Sequence, residues 1–160
     1  MARLDLDILQ IGIFMETKAY DAAMDYYMNG YNSYMTSLHK IATSPSRNIV
    51  SNQYNLFSNY FMSTNYTDDI MLQALKQLAP FSSASDGQLA AASVRILQTM
   101  VSYMAILEKF YLAVQICRGA SGPDMLSVTT WETGVALYVG SIEGHARGGD
   151  SLRDGTLLYG

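Results

Sequence analysis

Apolar positions along the chain recur at the three- and four-residue steps of an α-helix, broken by short polar or glycine-rich turns. Residues 4–17 (LDLDILQIGIFMET) place Leu6, Leu9, Ile13 and Phe14 at helical spacing. After a break at Thr17-Lys18, the run AYDAAMDYYMNG sets Tyr20, Ala23 and Tyr27 on one face. Gly30 follows as a C-cap, because glycine enters left-handed backbone without a Cβ penalty. The two segments predict a helical hairpin. The order Phe14, Tyr20, Ala23, Tyr27 fits tetratricopeptide spacing, but no repeat at that motif's period follows it.

From Asn29 to Val50 the chain turns polar, with Asn32-Ser33 and Ser44-Pro45-Ser46 as breaks, and a short helix is predicted over about 34–42. Another covers about 51–62 (SNQYNLFSNYFM). Thr67-Asp68-Asp69 then caps a helix running to about Leu78, stopped by Pro80. Ser85-Asp86 opens the longest helix, 86–117. In it Leu97, Met100, Met104, Leu107, Tyr111 and Val114 alternate three- and four-residue steps, the seam of a helix packed along another. Ile96, Tyr103, Phe110 and Cys117 form a second stripe, and Arg95, Ser102 and Lys109 leave one narrow polar strip. A helix apolar around most of its girth belongs in the middle of a bundle.

RGASGPD (118–124) reads as a loop, and a last helix is predicted over about 126–139, with Trp131, Val135 and Tyr138 as its buried face and Gly140 as its stop. Gly140, Gly144, Gly148, Gly149, Gly155 and Gly160 make the C-terminal tail irregular. The fold class is therefore all-α: one domain over 1–160, a bundle of about six helices around the central helix 86–117. The run ends at Leu157-Leu158-Tyr159-Gly160 with no closing element, which suggests one module of a longer chain or a tail docked on its own bundle.

Composition narrows the classes. With 49% hydrophobic and 15% charged residues the chain is not of the disordered type. A net charge of −4 with no basic run leaves no nucleic-acid footprint. No segment has about eighteen uninterrupted apolar residues, so no membrane span is expected. The start MARLDLDILQ is too acidic for a signal peptide, so secretion would require a leader already removed. A single cysteine, Cys117, leaves no internal disulfide and no multi-cysteine metal site, and its apolar surroundings predict a buried, inert thiol.

Candidate chemistry is sparse. The two histidines, His39 and His145, accompany no nucleophile-elbow pattern, and there is no Walker loop or dinucleotide fingerprint after a strand, so no enzyme class has a constellation behind it. His39 is expected to be a solvated or capping residue. Glu143-Gly144-His145 offers one Glu-x-His pair to a metal. Asp21 and Asp25 lie one turn apart and can converge, whereas Asp68-Asp69 suit a helix N-terminus. An inventory with few His and Cys but many Asp, Glu and Tyr favours oxygen ligands for a hard cation. Asn65-Tyr66-Thr67 is a glycosylation sequon. Tyr20-Asp21…Tyr27…Gly30 and Trp131-Glu132…Tyr138…Gly140 echo each other, with the aromatics expected to pack and the acids to stay reachable at the rim.

AYDAAMDYYMNGYNSYMTSLHKIA (19–42) resembles an element of algal periplasmic proteins induced by low iron or high CO2. WETGVALYVGSIEG…GDSLRDGTLLY (131–159) resembles the second hallmark of that family, an aromatic-acid helix running into Tyr-x-Gly-Ser-x-Glu-Gly and a Gly-Asp-Gly tail. The likeness covers about a third of the chain. Asp25-Tyr26-Tyr27 is bulkier than the family's Ile-Tyr, and its Gly-Asp-Gly is here split into Gly149-Asp150 and Asp154-Gly155. The resemblance implies a secreted, extracellular or periplasmic helical protein that is not an enzyme and serves iron assimilation, with iron as its cofactor and Asp21, Glu132 and Glu143 as the matched metal-binding acids. The composition offers another role: a structural or interaction module, its Met- and Tyr-rich make-up suited to self-association or to packing into a larger protein assembly, as it is to a core.

Overall fold

A computed structural model describes residues 3–33, 36–43, 52–119 and 125–141. Every regular element among them is helical: α1 Leu4–Glu16, α2 Tyr20–Asn29, α3 Leu38–Ala42, α4 Asn52–Phe61, α5 Tyr66–Leu75, α6 Asp86–Gly119 and α7 Met125–Val139. The fold is an all-α bundle with α6 as its long central helix. The glycine-rich tail lies outside the described residues.

Local sequence explains most boundaries. α2 ends on Gly30, at φ 67°, whose N–H returns to the Tyr26 carbonyl. α6 starts on a capping box in which Ser85 accepts from the Gln88 N–H and the Gln88 side chain accepts from the Ser85 N–H. α7 ends at Gly140, at φ 80°, as its glycine predicts. α5 stops at Leu75, short of Pro80, because Gln77 turns the chain into left-handed backbone at φ 54°.

α6 is the spine. Its middle, Ile96–Ser102, is wound as a π-helix, where the Thr99 hydroxyl takes the Arg95 carbonyl at 2.7 Å in competition with the backbone ladder. By length and composition α6 could cross a membrane, and 56% of its most apolar stretch is buried inside the bundle. The first part of α6 packs on α1, the π segment meets α3 and α5, and the last part packs on α7. Leu89, Leu97 and Val101 of α6 meet Leu4, Ile8, Ile11 and Met15 of α1 in one core, joined by Tyr27, Leu38 and Met71. A smaller cluster joins Tyr54 of α4 and Tyr66 of α5 to Met104.

Two glycines set the approach of the partner helices. A Cβ on Gly12 would lie 2.9 Å from the Val94 side chain, and one on Gly134 would lie 2.6 Å from the Phe110 ring. At the other end of these helices the Asp5 carboxylate accepts from the Ser141 hydroxyl, at 2.8 and 3.0 Å, and from the Ser141 N–H. Gly134 sits at the level of Phe110, so Ser141 lies about seven residues back along α6, near Ser102. Asp5 must lie there too, while Gly12 lies at Val94. Both α1 and α7 therefore run against α6, and they meet end to end beside the π segment.

The buried face of α1 differs from its periodicity-based reading. Leu9 and Ile13 are 43% and 44% exposed, and the inward face is Leu4, Asp5, Asp7, Ile8, Ile11, Gly12 and Met15. α1 is apolar nearly all round, so periodicity alone does not orient it. The bonded acids and the glycine contact do.

Alanine at Gly134 gains up to about 1 kcal/mol in helix propensity. It also overpacks Phe110, and Gly134→Ala is expected to destabilise the protein by a net ~1–3 kcal/mol in urea unfolding. An unchanged or raised midpoint would mean that α7 does not sit this close to α6.

Candidate functional site

α7 (MLSVTTWETGVALYV) carries a single charged side chain, Glu132, in fifteen residues. A helix so apolar all round is normally covered on more than one side. Two seams of three- and four-residue steps run along it, one residue out of phase and so about 100° apart around the axis. Ser127, Thr130, Gly134 and Leu137 are buried against α6. Val128, Trp131, Val135 and Tyr138 are 40–48% exposed. This reverses the expectation that Trp131, Val135 and Tyr138 form the buried face. Phe110 projects from α6 and only a glycine makes room for it, so the small seam faces inward and the large one is turned to the flank.

The flank continues onto α6. Trp131 lies with its ring centroid 4.4 Å from that of Phe110, and Val114 stands exposed beside it. Between the helices lies a groove of about 270 Å³ lined by Ala113, Val114, Cys117, Ser127, Val128 and Trp131. Cys117 is exposed there, not buried as its apolar neighbours suggested. Its stripe partner Phe110 is covered by α7, whereas Cys117 lies two turns further on, at the mouth of the groove. A second groove, of about 400 Å³, runs along α5 past Phe61, Tyr66, Asp69 and Lys76. Its carboxylate, Asp69, is taken by the Ser63 hydroxyl.

The remaining polar groups mostly join elements to one another. Asp68 Oδ1 accepts from the Tyr27 phenol at 2.7 Å and lies 2.9 Å from His39 Nδ1. The ring of His39 also meets Tyr27 edge-on, so His39 is a half-buried link among α2, α3 and α5, not a solvated residue. Beside it the Thr67 hydroxyl donates to the Ala42 carbonyl at 3.1 Å. Asp7, fully buried, accepts through Oδ1 from the Asn32 side chain at 2.8 Å and from the N–H groups of Asn32 and Tyr31 at 3.1 and 3.3 Å. Its Oδ2 has no partner among the described residues. Asp25 is held by Asn29 at 2.7 Å and by the Tyr31 phenol.

At the α1–α2 turn, Asp86 accepts from the Tyr20 phenol at 2.7 Å and pairs with Lys18 at 3.1 Å. The hydrogen bond to Asp86, then desolvation and the carboxylate charge, raise the Tyr20 pKa above its ordinary 10.0. The hydrogen bonds from Tyr20 and then Lys18 lower that of Asp86 below 3.8. The Asp25 bond likewise raises Tyr31. Asp86 therefore supports the fold above pH 3.8, and that support is lost as pH falls through its lowered value. Tyr20 keeps its proton longer when folded, so its support is withdrawn as pH rises past 10.0.

The acids matched by resemblance are not brought together. Asp21 is exposed on α2 and Glu132 is exposed on α7, two helices that share no substantial packing. Glu143 and His145 lie outside the described residues. No group of three or more His, Cys, Asp or Glu able to hold a metal occurs among the described residues. Asp21 and Asp25 do not act as a pair either, since Asp25 is engaged by Asn29 and Tyr31. The aromatic-acid echo fails in packing: Tyr27 is fully buried, whereas Trp131 and Tyr138 are exposed. Sequence reading missed the roles of Val128, Asp5 and Asp7. The signals were present in the near absence of charge around α7, and in two acids set between leucines and isoleucine on α1. The chain matches no protein-family model, no curated protein and no solved structure.

Two outcomes check the polar geometry. Asp7→Ala leaves three donors without an acceptor and is expected to cost ~2–4 kcal/mol, whereas Asp7→Asn keeps the accepting oxygen and should stay within about 1 kcal/mol of the parent. Similar losses for both would show that the charge, not the acceptor, is what the loop needs. With ¹³Cζ-labelled tyrosine, the Tyr20 resonance should titrate above pH 10.0 and return toward that value in Asp86→Asn, with the Tyr31 resonance unmoved.

Proposed function

We propose that the chain is a non-enzymatic interaction module that packs into a larger protein assembly through the flank of the α6–α7 hairpin. The observation that carries this reading is the seam of Val128, Trp131, Val135 and Tyr138: four large apolar side chains at helix-packing spacing, turned outward on a helix with one charge. Isolated exposed apolar residues need no explanation, but a contiguous patch at this spacing is the form a helical partner recognises. The groove alongside adds a recess into which a partner side chain fits. Support for a non-catalytic role comes from the aspartates: Asp5, Asp7, Asp25, Asp68, Asp69 and Asp86 each accept hydrogen bonds from the protein's own groups. The iron role implied by the resemblance has no geometric support among the described residues, where Asp21 and Glu132 stand apart.

A docking seam is dispensable to the fold that displays it. In dilute solution Val128→Lys and Val135→Lys are each expected to change the folding free energy by less than about 0.5 kcal/mol, as for ordinary surface positions. A loss above about 2 kcal/mol in both would place the seam in the chain's own core and end this reading.

A further inference from the structure

We propose that α4 and the turn behind it form a membrane-docking knob, which inserts at the boundary between headgroups and acyl chains of a neutral lipid bilayer. This surface is separate from the α6–α7 flank. α4 turns apolar side chains outward: Tyr54 and Ser58 are buried, whereas Leu56, Phe57, Tyr60 and Phe61 are 68%, 47%, 80% and 36% exposed. Met62, just beyond the helix, is 91% exposed. The spacing i, i+1, i+4, i+5 gathers the four helical residues into one face. Their rings hold one another in place. Phe57 stacks on Phe61 and Phe61 on Tyr66, with centroids 6.5 and 5.2 Å apart, and Tyr60 meets Phe61 edge-on.

Met62 holds left-handed backbone at φ 53°, a place that favours glycine or asparagine, and yet leaves a large apolar side chain almost wholly in water. Such a choice makes sense where the side chain is buried in something other than its own bundle. The charge pattern indicates what that is. From Asn48 to Thr67 no side chain is charged. The outward face therefore lacks the charges that select a protein partner, and equally the lysines and arginines that hold a helix to anionic lipid. The α5 groove that shares Phe61 carries Asp69 and Lys76, one charge of each sign, and the whole chain carries −4. An anionic surface repels such a chain, whereas a zwitterionic one matches the pair. The knob is also convex, so a fluid bilayer closes round it where a protein would need a preformed pocket. Tyr60 suits the boundary, with its ring toward the acyl chains and its hydroxyl among the headgroups. With bulky apolar side chains as the only hold, affinity follows the gaps between headgroups, and so membrane curvature rather than lipid charge.

The test is flotation of the full chain with small, highly curved and large, flat vesicles of dioleoyl phosphatidylcholine, at low and high salt. Binding is expected to be several-fold greater to the small vesicles, insensitive to salt, and not raised by phosphatidylserine. Tyr60→Ser should weaken it at least about ten-fold with the helical circular dichroism intact. Met62→Asn keeps a residue that accepts left-handed backbone, so it should bind less without loss of stability. Val128→Lys, on the other surface, should bind as the parent does. With Trp131→Phe as background, the emission of Tyr60→Trp should shift to the blue when vesicles are added. Absence of flotation with phosphatidylcholine of either size overturns the proposal. So does binding that needs phosphatidylserine or is lost in salt, since electrostatics would then be the hold. Vesicle binding unchanged in both Tyr60→Ser and Met62→Asn places the contact elsewhere and overturns it too. Self-association lost in Tyr60→Ser, without vesicle binding, makes the knob a contact between copies of the chain instead. None of these outcomes bears on the α6–α7 flank, whose own test is the stability of Val128→Lys and Val135→Lys.

Discussion

Two carboxylates two residues apart on α1 dictate where distant parts of the chain must go. Asp5 and Asp7 are essentially inaccessible to water, and a buried acid is tolerated only where neighbours donate hydrogen bonds to it. The donors come from opposite ends of the sequence. The turn after α2 gives the N–H groups of Tyr31 and Asn32 and the Asn32 amide to Asp7. Ser141, just past the end of α7, gives its N–H and hydroxyl to Asp5. Apolar burial is non-directional and accepts many arrangements of the same helices. These bonds are directional, and they require α2 to turn back over α1 and α7 to finish where α1 begins.

Much of this was readable in advance, for reasons that differ from element to element. α6 announces itself through a capping box and a long apolar girth, both local properties of contiguous residues. Gly30 and Gly140 mark helix ends because left-handed backbone favours glycine wherever it occurs. What periodicity does not carry is the choice of face on a helix that is apolar all round. On α1 that choice is made by Asp5, Asp7 and Gly12. On α7 it is made by Phe110, a residue of another helix, which selects the small seam and rejects the large one. Cys117 is exposed for a related reason: α7 faces it across a groove with Ser127 and Val128, and the space between the helices there is left open. The candidate acids fare worse, because the resemblance that marked Asp21 and Glu132 says nothing about distance, and the fold sets them on helices that do not pack together. His39 was underrated because its partners, Asp68 and Tyr27, are far away in sequence and become neighbours only once α2, α3 and α5 converge.

Small residues decide how α6 holds its neighbours, and this has a mechanical consequence. Gly12 seats α1 on Val94 and Gly134 seats α7 on Phe110, so both partner helices lie close along the same spine. Between them the Asp5–Ser141 bonds close the joint. Without that joint α7 would be held by its packing on α6 and by Leu137 in the main core alone. With it, the C-terminal end of α7 is also fixed to the first turn of α1. Val128, Trp131, Val135 and Tyr138 thus project from a helix braced along one side and tied at its far end. A surface braced in this way loses little conformational freedom when something packs on it, and lower ordering cost is what lets a modest apolar patch bind at all. The inward turn of the small seam and the outward turn of the large one are therefore a single structural choice: the contacts that fix α7 to the bundle are the same ones that turn its bulky face outward.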